Sequence, residues 1–135
     1  MADDYFMTTG EASDAEATFY DVGEISPLQM APGLTFAPLL GTSLMLNVVR
    51  FEPHIAAPVH QHVEEQLIYV VEGELVVQIR DEERVLGPGM AVSIPSWVPH
   101  GARTVASTCI ELDIFTPPRR ALLDLMDTQL PVDPS

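Results

Sequence analysis

Between Leu44 and Thr116 short apolar runs alternate with turn residues so regularly that the stretch reads as an all-β sandwich or barrel. Leu44–Phe51 reads as a strand stopped by Pro53, and Gln66–Glu72 as one closed by Gly73. Glu74–Arg80 and Arg84–Leu86 flank a charged turn, Asp81-Glu82-Glu83. Gly87-Pro88-Gly89 is a strong turn before Met90–Ile94, which ends at Pro95, and Ala102–Val105 and Cys109–Phe115 complete the set. Pro117-Pro118 ends the last strand, because proline brings no N–H to a ladder. The following Arg119–Met126 has helical composition, with Leu122, Leu123 and Met126 on one face for docking against a sheet.

At 135 residues and 47% apolar content the chain suits one domain with a real core. Twenty acidic residues face six basic ones, all Arg, for a net charge of −14. Nucleic acid and anionic membrane need positive patches, so neither is an expected partner. Such acidity fits either a GC-rich genome or a salt-adapted host. No apolar run approaches a membrane span, and the opening Met-Ala-Asp-Asp lacks the basic start of a secretory signal. With the single cysteine, Cys109, this makes the cytoplasm the expected location. Residues 1–17 carry five acids and little apolar periodicity, so they read as a mobile acidic leader, with the domain over 18–130 and a tail at 131–135. Phe19, Tyr20, Val22 and Ile25 are expected to begin the ordered part.

Three of the four histidines fall in two segments, Pro58-Val-His60-Gln-His62 and Pro95-Ser-Trp-Val-Pro-His100. Side chains alternate along an extended segment, so His60 and His62 point the same way, and Gln66 follows at an even spacing. Three imidazoles and one amide carbonyl converging on a point make a site for one divalent first-row transition metal such as Zn, Ni, Mn or Fe. Glu64 and Glu65 are the substitutes for Gln66 as ligand and read instead as solvated or lying behind the ligands. On Cys109–Phe115, alternation places Cys109, Glu111, Asp113 and Phe115 on one face. That face meets solvent or a ligand cavity; in the second case Asp113 can move a proton. Trp97 is expected at the barrel rim, His54 is structural, and Cys109 is a buried hydrophobe. For Tyr69 and Met45, parity leaves open which face is inside.

These motifs resemble the cupin superfamily. His60, His62, Gln66 and Gly73 match its first motif, with Gln66 where most cupins have Glu and the leading Gly missing. Gly87-Pro88-Gly89, Pro95, Pro99 and His100 match its second. The resemblance implies a single-domain jelly-roll β-barrel, here with a short C-terminal helix, holding a metal on His60, His62, Gln66 and His100. Leu112-Asp-Ile-Phe-Thr-Pro-Pro-Arg119 is similar to the KdgF-type cupins that act on unsaturated uronates from pectin and alginate. By that likeness Asp113 is the catalytic acid/base, Phe115 its neighbour, and Arg119 an active-site cation for a substrate carboxylate. Taken from the residues alone, Arg119 is equally a surface charge, and Phe115 is simple core.

The function implied is a metal-dependent, non-redox lyase or isomerase working by ring opening, tautomerisation or cyclisation. Its substrate would be small, with a carboxylate or carbonyl. The alternatives are a metal-dependent cupin dioxygenase and a non-catalytic small-molecule-binding cupin. A homodimer joined through sheet edges is implied by the resemblance alone.

Overall fold

The computed structural model describes residues 5–129, so the tail at 131–135 and the first four residues of the expected leader lie outside it. Ten strands form two antiparallel sheets. They are β1 (Leu28–Ala31), β2 (Leu34–Leu40), β3 (Met45–Phe51), β4 (Ala56–His60) and β5 (Glu65–Gly73), then β6 (Leu75–Ile79), β7 (Glu82–Leu86), β8 (Ala91–Ile94), β9 (His100–Arg103) and β10 (Cys109–Thr116). One sheet has the order β1-β2-β3-β10-β5-β8 and the other β4-β9-β6-β7. Helix α1 (Arg120–Gln129) follows β10. No described helix is long and apolar enough to cross a membrane.

Each inner face is built by alternation. On β10 the residues Cys109, Glu111, Asp113 and Phe115 are buried while Ile110, Leu112 and Ile114 are only half-buried. Val49, Phe51, Ile68 and Val70 from the large sheet meet Leu75, Val77 and Leu86 from the small one to form the core. Each such side chain contributes about 1.5–3 kcal/mol on leaving water. A second cluster joins Met45 and Phe115 to Leu122, with Leu123 and Met126 packed against it, so α1 docks on the end of the sandwich by the expected face.

Several boundaries differ from the sequence expectation. The Asp81-Glu82-Glu83 turn is instead the two-residue connection Arg80-Asp81, because Ile79 pairs with Glu82 and Arg80 takes a φ of 53°. The strand expected over 102–105 lies at His100–Arg103, and β1, β2 and β4 had not been expected as strands. Phe19 does not begin the packed part: it is 98% exposed, and the first buried side chain is Leu28. The Tyr20 hydroxyl donates to the Leu40 carbonyl at 3.0 Å. Met45 faces inward, fully buried, and Tyr69 outward.

Gly73 closes β5 with a φ of 79°, and a Cβ there would collide with the Thr108 carbonyl oxygen. A side chain is excluded by sterics as well as by dihedral preference.

Candidate functional site

His60 is the last residue of β4 and His100 the first of β9, and the two are register partners. Their rings lie 4.4 Å apart, centre to centre. His62 sits two residues past β4, its ring 5.4 Å from His60 and 4.9 Å from His100. The loop before β9 is held to it, as the Trp97 N–H donates to the His62 carbonyl at 2.8 Å. Trp97 itself is 58% exposed at a φ of 65°.

Every one of the three imidazoles is pinned through Nδ1, which donates to a main-chain carbonyl at 2.9 Å: His60 to Pro58, His62 to Glu64 and His100 to Val98. That fixes the tautomer and leaves three Nε2 lone pairs free. Coordinating atoms of the three rings lie within 4.8 Å of one another. Burial lowers the pKa of His62, with the Arg119 charge adding to it. Burial also brings His100 down to about 4. Both rings therefore stay neutral, the form that binds metal.

Gln66 completes the set. Its Nε2 donates to Asp113 Oδ1 at 3.0 Å, which orients the amide so that Oε1 faces His62 Nε2 at 3.1 Å. With Nδ1 of His62 carrying the hydrogen, that contact sets two lone pairs against each other. Ligands about 2.1 Å from one cation, at right angles, stand about 3 Å apart, so a metal resolves the contact. His100 Nε2 is a buried atom with no partner among the described residues, as a ligand position would be. The donor set thus fits a divalent first-row ion.

Beyond these donors is a cavity of about 90 Å³, with His60, Gln66, His100, Glu111 and Asp113 in its wall. The rest is apolar, including Phe36, Phe51 and Phe115. Phe115 also packs edge-on against His62, ring centres 5.7 Å apart. Asp113 is 7% and Glu111 3% exposed, so the face they share is the cavity face and not solvent. Burial raises the pKa of Glu111 well above the usual carboxylate range, and the adjacent Asp113 charge pushes it further. Burial raises Asp113 too, while hydrogen bonds from Glu111 and Gln66 oppose the rise. Glu111 therefore keeps the proton and Asp113 presents the lone pair.

Glu64, between two ligands in sequence, is buried. Burial alone would raise its pKa, but hydrogen bonds from the backbone amides of Arg120 and of Glu64 itself, together with the Arg119 charge, lower it overall. It accepts the Arg120 N–H at 2.8 Å, at the first residue of α1, and pairs with Arg119 Nη1 at 3.5 Å. So Arg119 does fold back toward the site, but onto a protein carboxylate, and it does not line the cavity. Glu65 is exposed on β5, and His54 is exposed at a φ of 59°. Cys109 is buried, its thiol pushed up to about 11 by burial.

Two polar groups carried no role in the sequence reading. Glu111 is visible in retrospect as the second acid on the Asp113 face. Asn47 is fully buried with neither amide atom bonded among the described residues, and it is the register partner of Asp113. An apolar strand gave no signal for it.

A cupin-domain family model matches residues 47–115. Among solved structures, KdgF from Halomonas sp. is 29% identical at a TM-score of 0.75, covering 79% of this chain and 99% of that one. An RmlC-like cupin from Shewanella frigidimarina is also 29% identical, at a TM-score of 0.73 over 79% and 96% of the two chains. The polyketide cyclase RemF from Streptomyces resistomycificus is 26% identical at 0.66, over 75% and 80%. No curated protein matches the chain significantly.

Proposed function

Because the chain belongs to the cupin family, we propose that it is a metal-dependent, non-redox enzyme of lyase or isomerase type. Its substrate is a small oxygen-rich acid of the unsaturated uronate kind. The observation that carries this reading is the Gln66 amide, which joins the ligand cluster to the buried Asp113–Glu111 pair through contacts of 3.1 and 3.0 Å. His60, His62, Gln66 and His100 would hold the ion, and when bound it supplies Lewis-acid polarisation of a substrate oxygen.

The chain's own residues do the rest. Asp113, kept basic by burial and aimed into the cavity, accepts a proton from the substrate, worth typically ~10²–10⁴ in rate. Glu111 donates a hydrogen bond to Asp113 and so holds its free oxygen in place. Phe36, Phe51 and Phe115 exclude water from the proton's path. A neutral Gln66 in place of a carboxylate leaves more of the ion's charge for the substrate. Arg119, paired with Glu64, serves an incoming carboxylate only by sharing its guanidinium with that side chain.

The test is turnover of unsaturated uronates and β-dicarbonyl compounds without oxygen, using metal-loaded protein. Product should form anaerobically, and Asp113→Asn should lower kcat about 100-fold at unchanged metal content. Oxygen consumed in step with turnover would make the chain a dioxygenase. Wild-type kcat in Asp113→Asn would remove the proton-transfer role.

A further inference from the structure

The geometry points to Glu64 as the residue that sets the specificity of this site: it holds the guanidinium of Arg119, and a substrate carboxylate has to take that guanidinium from it. The substrate class is that of the uronate reading above, on which this role rests.

Glu64 is 3% exposed in the connection between His62 and β5, and its two oxygens face different partners. Oε2 accepts the Arg120 N–H at 2.8 Å and so belongs to the start of α1. Oε1 stands 3.6 Å from His62 Nδ1 and 3.5 Å from Arg119 Nη1. One carboxylate oxygen therefore lies between a ligand imidazole and a guanidinium, and the Arg119 charge is one group away from the ligand cluster. Arg84, Arg103 and Arg120, by contrast, are paired at the surface with Glu82, Glu83 and Asp124.

Arg119 is held loosely. A guanidinium presents its N–H donors in a flat fork that fits a carboxylate through two parallel bonds of about 2.8 Å. That of Arg119 makes a single long contact of 3.5 Å and no other hydrogen bond or ion pair among the described residues. Its side chain is 23% exposed. With donors to spare and one side open, the guanidinium is suited to a second carboxylate.

The resident carboxylate decides how readily that happens. The cavity wall already holds Asp113 and Glu111, and the chain carries −14 overall, so an entering anion meets its own sign of charge. The Arg119 charge would offset this, but Glu64 neutralises it in the resting chain. An acid and a neutral ester of the same shape differ here: the acid competes with Glu64 and the ester does not. Two carboxylates crowded on one cation cost affinity.

Isothermal titration calorimetry of the metal-loaded chain, with galacturonate and with its methyl ester, tests this. Glu64→Gln keeps the volume and the acceptor for the Arg120 N–H while removing the charge. It should bind the acid about tenfold more tightly, with ester affinity and metal content unchanged. Glu64→Asp, which withdraws the carboxylate by one methylene, should shift the acid the same way by less. Adding Arg119→Gln to Glu64→Gln should abolish the gain, because the freed guanidinium is what the acid binds. Equal gains for acid and ester would make Glu64 a packing residue and overturn the assignment. So would an acid affinity that neither Glu64 variant raises, or a gain that persists without Arg119. The titration reads binding alone, so its failure and a failure of anaerobic turnover are told apart.

Discussion

Glu111 and Asp113 sit two apart on β10 with one proton to share, and their surroundings decide which of them holds it. Asp113 has two hydrogen-bond donors, Glu111 and Gln66, and Glu111 has none for its Oε2 among the described residues. The folded chain therefore keeps on Glu111 a proton that the unfolded chain releases at ordinary carboxylate pH. Folded binds more protons than unfolded, so stability falls as pH rises through and above that range. Glu111→Gln keeps the shape and removes the titration. It should unfold at higher temperature than the parent near neutral pH, and the difference should shrink in acid, where both states hold the proton. Calorimetry across that pH range checks it; a difference independent of pH would mean that Glu111 is not protonated in the fold. The cluster of His60, His62, Gln66 and His100 was legible in the sequence because two motifs space these residues, and the structure brings them together. Glu111 was legible only as a face, and Asn47 not at all: burial between two sheets is a tertiary fact, invisible in a strand that reads Met-Leu-Asn-Val-Val.

At the level of elements, proline decided which strands could be read. β4 carries Pro58 and β2 carries Pro38, and a proline inside an apolar run reads as a break in a strand. The structure accommodates each where no ladder N–H is needed. β4 is an edge of its sheet, with a register shift between Ala57 and His60. β1 pairs with β2 only over Leu34–Phe36, so Pro38 lies past the end of that partner. Helix α1 was legible, since Leu122, Leu123 and Met126 mark its face. What the sequence did not reveal is its anchor, Glu64, whose carboxylate accepts the Arg120 N–H and so ties the helix start to the loop bearing His62. Leu122 is 4% exposed against Met45 and Phe115. Leu122→Ala should cost about 2–5 kcal/mol in urea unfolding, whereas Asp124→Ala on the exposed side should leave the midpoint almost unchanged.

Over the whole molecule the excess of acid opposes compactness. Twenty carboxylates against six guanidinium groups repel one another at neutral pH, and the repulsion acts over about 10 Å at 0.1 M salt. Sodium chloride should therefore raise the Tm, steeply at first and then levelling as screening saturates. A Tm independent of salt would mean that the acids are already compensated locally, beyond the Arg84–Glu82 and Arg103–Glu83 pairs on the surface.

The carbonyls of Pro58, Glu64 and Val98 aim the three imidazoles, and a carbonyl belongs to the chain whatever side chain the residue bears. A substitution scan through the neighbourhood would leave ring orientation almost untouched, since no exchange of side chain deletes a peptide oxygen. Innovation at this centre has to enter elsewhere. The openings are the amide of Gln66 and the alternating positions of β10, where one codon change alters charge and hydrogen bonding while the histidines keep their aim.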